Sequence, residues 1–328
     1  MKKITISLLL IISTLSAFAQ DFTLENQYKK MIRKYPFIKP YLPSDSGLYV
    51  EKDIPYFKSR NSEKTLCFDY ISLTDRTVPR PLVIFVHGGG WASGSKEMDH
   101  AMAIALARKG FSCVCIDYLK SGVSKYPEAV IDVCMATQLA KEHPEIFGCN
   151  GQICLVGSSA GGQLASLVGA NDNYLFDITP DDTFPSVDRV IDIDGVLAFI
   201  HPDSSEGQDK LGKISAATQW LGTSVKDDPE LWNEASPLYH VNDQSADYTF
   251  IVGTQKRFTA GINEMCDSLR IHGHSAKNVR IFADGKERNP NEIVSESETP
   301  HCFWLFSPWA EYVVDAMFDA LSDWIKLD

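Results

Sequence analysis

From about residue 65 onward the apolar and polar positions of this chain alternate between two rhythms. Short runs rich in β-branched and aromatic residues predict strands at 65–73, 82–86, 111–117, 152–156, 189–193, 248–252 and 279–283. The run Leu82-Val83-Ile84-Phe85-Val86 is apolar at every position, the pattern of a strand covered on both faces. Between these runs the apolar spacing lengthens to the helical period. It predicts helices over 96–109, 128–142, 161–170, 263–270 and 311–325. Strand–helix alternation of this kind implies an α/β class with a mostly parallel, doubly covered sheet.

Two stretches break the rhythm. Residues 20–60 hold Pro36, Pro40, Pro43 and Pro55 and read as an N-terminal arm over the body. Residues 196–245 are polar and loop-like, with Trp220, Trp232, Pro229 and Pro237, and read as a cap-like insertion or a solvated loop. Ahead of both, Lys2 and Lys3 precede a short apolar run and the small-residue pattern Ala17-Phe18-Ala19. That layout predicts a signal peptide over 1–19, cut before Gln20, leaving one domain over 20–328 in a secreted or periplasmic protein. The run is too short for a retained membrane span, which needs about 18 apolar residues, and no later segment reads as one.

Composition narrows the partners. A net charge of −12 argues against nucleic acid and anionic membrane surfaces. Of eight cysteines, Cys113, Cys115 and Cys154 lie in apolar runs and read as buried strand residues. No C-x-x-C pair suggests a thiolate zinc site, and one or two disulfides stay open. No cofactor or metal is implied by any ligand spacing.

The chemistry concentrates in two glycine-rich turns. Gly157-Ser158-Ser159-Ala160-Gly161 fits Gly-x-Ser-x-Gly between an apolar strand and a small-residue helix. There a sharp turn presents the serine hydroxyl at the sheet's C-terminal edge, and Gly157 and Gly161 supply room. The following helix N-terminus favours developing negative charge. His87-Gly88-Gly89-Gly90-Trp91 follows the buried run 82–86. Backbone N–H groups of Gly89 and Gly90, with that of Ala160, form a candidate oxyanion hole, while His87 is expected to brace the loop. The base is expected late in the chain, after the acid. His301 follows the last predicted strand and precedes the final helix, whereas His272 and His274 close a helix and His201 and His240 fall in the insertion.

These motifs, with Asp117-Tyr118 and Tyr126-Pro127-Glu128-Ala129, resemble the esterase and lipase branch of the α/β-hydrolases related to hormone-sensitive lipase. The ending His301-Cys302-Phe303-Trp304 through Pro308-Trp309 resembles secreted bacterial carbohydrate esterases, acetyl esterases among them. The resemblance implies a triad of Ser159, an acid and His301. In much of that family the acid stands in Gly-Thr-x-Asp, but here the segment reads Gly253-Thr254-Gln255-Lys256. Asp194, at the end of the predicted strand 189–193, is the favoured substitute, with Glu264, another carboxylate or a functional dyad as alternatives; Asp192 sits deeper in the strand. The implied activity is hydrolysis of an acetyl or other acyl ester on plant cell-wall carbohydrate, or of another small ester. The alternatives are a lipase or peptidase of the same fold, or a silent binding-only relative. Trp91, Trp304 and Trp309 are candidates either for sugar stacking or for core packing, and Lys256 and Arg257 are candidates for contacting an acidic sugar.

Overall fold

The computed structural model describes residues 22–59, 62–179, 186–204, 206–210, 213–284, 287–288 and 298–325. The expected signal peptide and its cut lie outside the described residues. Among the described residues the main sheet has nine strands. They are β1 (Leu48–Lys58), β2 (Thr65–Leu73), β3 (Arg80–Val86), β4 (Ser112–Ile116) and β5 (Cys149–Ser158). Then follow β6 (Arg189–Ile193), β7 (Asp247–Val252), β8 (Ala276–Ile281) and the short β9 (Glu287–Arg288). Their spatial order is β9-β8-β7-β6-β5-β3-β4-β2-β1, parallel from β4 through β8 and antiparallel at both edges.

The pleat of β3 shows why an unbroken apolar run belongs at the centre. Leu82, Ile84 and Val86 face one core, whereas Val83 and Phe85 face the other, and all five are buried. The first core is closed by α3 (Glu128–Glu142), α4 (Ala160–Gly169) and α5 (Ile262–Ile271). The second is closed by α2 (His100–Arg108) and α6 (Trp309–Leu321), with the N-terminal α1 (Leu24–Met31) packed against it. Each fully buried Leu, Ile or Phe contributes about 1.5–3 kcal/mol, so the two cores hold the sheet edge that carries the turns rigidly.

All seven expected strands form, with ends moved by a few residues. The arm at 20–60 is corrected in part. Its second half is β1, the antiparallel edge strand, joined to β2 with irregular register between Glu51 and Ile54 and again between Pro55 and Phe57. Exposed Glu51, Lys52 and Asp53 and the proline hide this strand in sequence, and they are what an edge tolerates. The insertion at 196–245 is not a solvated loop. Two short helices, Ala216–Leu221 and Pro229–Glu234, are capped by Ser215 and Asp228 and bury Trp220 and Trp232 completely. All eight cysteines are free thiols, so the disulfides left open by the sequence are not formed.

Candidate active site

β5 runs straight into α4, and Ser159 stands at the junction as the helix N-cap with φ 55° and ψ −118°. A non-glycine residue held there is strained, and the surroundings explain how it is held. A Cβ on Gly157 would lie 2.1 Å from the Gly161 carbonyl, and one on Gly161 would lie 1.9 Å from the Val86 carbonyl. The two glycines thus let the turn close against β3. The Ser159 N–H donates to the Ile193 carbonyl at 2.8 Å, fixing the turn to β6 as well.

The hydroxyl of Ser159 lies 2.9 Å from Nε2 of His301, and Nδ1 of His301 donates to Oδ2 of Asp194 at 2.9 Å. The second carboxylate oxygen of Asp194 accepts the Gly253 N–H at 2.8 Å, and the side chain is buried. Asp194 follows β6 directly and has φ 52°. Its turn is braced from behind by Asp192, which accepts from the Gly195 N–H and the Ser166 hydroxyl, both at 2.6 Å. Burial raises the Asp192 carboxyl to about 7, against the pull of those two donors. Glu264 stays away from this group: it is exposed on α5 and faces His201 at 3.4 Å. Asp194 is therefore the carboxylate that accepts from His301, whereas Lys256 begins a 3-10 turn, Lys256–Phe258.

The His301 ring stacks on Phe258, with centroids 3.9 Å apart and planes 9° apart, and meets Trp304 edge-on at 5.1 Å. Burial is the largest cause that pulls the imidazole below its ordinary value. Asp194 opposes that shift, and the charges of Arg257 and Lys30 add to it. A ring that stays neutral and has its donor nitrogen committed to a carboxylate is ready to accept the serine proton.

Opposite His301, the glycine loop after β3 turns through Gly89 (φ 126°), Gly90 (φ 59°) and Trp91 (φ 56°). The N–H groups of Gly89, Gly90 and Ala160 donate to no protein acceptor among the described residues, as suits groups that face a substrate oxygen. Gly88 lies against the elbow: a Cβ there would lie 2.9 Å from the Ser158 carbonyl and 3.2 Å from Cβ of Ser159. His87 is a brace. It is fully buried, its Nδ1 donates to the Gly88 carbonyl at 2.7 Å, and it stacks on Tyr118. Burial drives its imidazole down to about 3, so it is neutral.

Trp91, Trp304 and Trp309 are all buried, so none of them is an open sugar platform. Trp91 stacks on Trp220 at 4.8 Å and 7° and donates its Nε1 hydrogen to Gln163 at 2.9 Å. Gln163 in turn donates to the Ala235 carbonyl. This clamp of oxyanion loop, α4 and insertion is invisible in the sequence, although Gln163 lies one turn after Ser159. Phe258 and Asp192 are further supports that periodicity does not single out. Among the described residues no group of three or more His, Cys, Asp and Glu is arranged to hold a metal ion. No helix among them is long and apolar enough to cross a membrane.

Known proteins share this arrangement of fold. Esterase LipC of Mycobacterium tuberculosis is 30% identical over 186 residues, 55% of this chain and 45% of that protein. The chain thus spans less than half the length of this relative. The apo form of Thermogutta terrifontis esterase 2 superposes with a TM-score of 0.65 at 20% identity, over 88% of this chain and 100% of that one. A truncated carbohydrate esterase from gut microbiota gives 0.58 at 18% identity, over 74% and 90%. These likenesses show an α/β-hydrolase fold. The BD-FAE family pattern covers residues 69–259, more than half of the sequence, and the chain belongs to the BD-FAE family.

Proposed function

We propose that this protein is an exported serine carboxylic-ester hydrolase that removes acetyl or other small acyl groups from carbohydrate. The single observation that carries the reading is the unbroken chain Ser159–His301–Asp194, with both contacts at 2.9 Å, on a strand-to-helix elbow. The name of the LipC relative supports an ester bond as the target. The carbohydrate part rests on the gut-microbial carbohydrate esterase and the resemblance of the chain's ending, and export rests on the layout of residues 1–19.

His301 Nε2 takes the Ser159 proton as Oγ attacks the acyl carbon. The carbonyl oxygen becomes an oxyanion held by the N–H groups of Gly89, Gly90 and Ala160. Each such donor is worth about 3 kcal/mol in the transition state. Collapse breaks the bond to the alcohol oxygen, which receives the proton from His301 and leaves. Water then attacks the acyl-serine by the same route in reverse. Asp194 stays ionised throughout and stabilises the imidazolium that forms in each half.

Hydrolysis of p-nitrophenyl acetate by the wild type, with loss of at least ~10⁴-fold in kcat for Ser159→Ala, is the expected result. Equal rates in the two proteins would end the proposal. Acetate release from acetylated xylans and pectins tests the carbohydrate part separately.

A further inference from the structure

His301 hands its proton to the departing alcohol, so the alcohol portion of a substrate lies on the His301 side of Ser159. The carbonyl oxygen lies toward Gly89 and Gly90. On the His301 side the chain has built a cleft of about 530 Å³. Its wall includes His301, Phe258 and Gln255, and it carries three cations: Lys30 from α1, Lys34 just beyond α1, and Arg257 from the turn before α5. No acidic residue lines it among the described residues. Lys30 and Lys34 are exposed, and neither is paired with a carboxylate among the described residues. Arg257 is clamped by nearly buried Glu206 through one Nη and lies over the Phe258 ring at 4.5 Å, while its Nε is buried without a partner.

A second groove of about 310 Å³ meets the first at Arg257 and adds Lys210 and Lys213 against one carboxylate, the Glu206 already paired with Arg257. It reaches the oxyanion loop, because the Ala216 methyl in its wall is 3.3 Å from where a Gly90 Cβ would sit. Five cations from three separate segments thus ring the active-site mouth of a chain whose net charge is −12. Positive charge gathered at one opening of an acidic protein concentrates anions there. A guanidinium fork beside ammonium groups matches a carboxylate.

Resting on the hydrolase reading above, we propose that the alcohol portion of the substrate carries a carboxylate, held between Lys30, Lys34 and Arg257, so that the natural ester is on an acidic sugar. The carboxylate takes no part in the bond changes. It orients the sugar so that an acylated neighbouring oxygen sits beside His301 Nε2, and the field of the cations raises encounter rates at low salt. The N-terminal arm thereby serves the site directly, because α1 closes the substrate cleft from outside the sheet.

The test compares mono-O-acetyl galacturonic acid with mono-O-acetyl galactose, which differ in a carboxylate at C6. Wild-type kcat/KM is expected to favour the acid at least tenfold at low ionic strength, with the preference shrinking as NaCl is raised. In the double variant Lys30→Met, Lys34→Met the acid-to-neutral ratio is expected to fall several-fold. A ratio is internal to each preparation, so loss of folded protein cancels from it. Ser159-dependent cleavage of both sugars with a ratio near one, or a ratio unmoved in the double variant, overturns the carboxylate proposal and leaves the hydrolase reading standing. No Ser159-dependent cleavage of these sugars or of p-nitrophenyl acetate overturns both.

Discussion

The two sides of Ser159 are made of different material. On one side lie the elbow, the oxyanion loop and the Asp194 turn, where glycines meet backbone carbonyls at distances no side chain tolerates and the carboxylates of Asp192 and Asp194 are held by backbone N–H groups. On the other side lie α1, the Arg257 turn and the outer surface of the insertion, with exposed lysines and an arginine held by one carboxylate. In the proposed acyl transfer the first side fixes where charge develops. The second fixes what stands next to it. Bond chemistry needs donors placed to fractions of an ångström, which only packed strand ends supply. Choice of substrate needs only charge and room, which irregular segments supply and can vary.

The strongest way to break that contrast is at Asp194. Asp194→Asn keeps the shape but removes the acceptor that holds Nδ1–H and stabilises imidazolium. We expect a loss of ~10⁴-fold in kcat on p-nitrophenyl acetate. Glu264→Gln, at an exposed carboxylate whose partner among the described residues is half-buried His201, is expected to stay within about threefold. Steady-state kinetics of the two variants decide the matter. Equal losses, or a larger loss at Glu264, would mean that Asp194 is not the acid.

Next in size is the clamp between the sides. Trp220 is fully buried, stacked on Trp91 and met edge-on by Tyr126 at 5.2 Å. Truncation to alanine is expected to cost about 3–5 kcal/mol of stability. It should also slacken the loop that carries Gly89 and Gly90, so kcat falls in the protein that remains folded. Urea unfolding measures the first effect. A loss under about 1 kcal/mol would show that the insertion lies on the body without bracing it.

The rigid side is the legible one. β3 is unmistakable because its doubly buried run 82–86 has no polar position, and the elbow announces itself because only glycine fits two positions either side of Ser159. Chain order points to His301, and a place after a strand points to Asp194; the structure joins His301 to Ser159 and Asp194 to His301. The open side is not legible. β1 carries Glu51, Lys52 and Asp53 in a row, because an edge strand has a solvent side at every irregularity. Lys30 lies far from Arg257 in sequence, and nothing in local pattern says that α1 turns back to the cleft. Arg257 stands out only because it follows a strand end. Trp91 and Trp220 read equally well as platform or core until their rings are seen face to face.

The smallest effect probes the boundary between the sides. Activity on the uncharged ester p-nitrophenyl acetate requires neutral His301, so kcat/KM falls as pH drops through the imidazole pKa of the free enzyme. Burial first, then the nearby Arg257 and Lys30 charges, hold that pKa below the ordinary imidazole range, while Asp194 pulls the other way. The acid limb is therefore expected below about pH 6.5. Removing a cation makes protonation easier, so Arg257→Gln should raise the pKa and move the limb toward higher pH, with the plateau rate little changed for a substrate that carries no charge. Added salt should move the wild-type limb the same way, because it screens Arg257 and Lys30 more than the buried contact with Asp194. A limb that stays in place in Arg257→Gln would show that the charged cleft and the catalytic imidazole are electrostatically separate, and that the open side touches substrate alone.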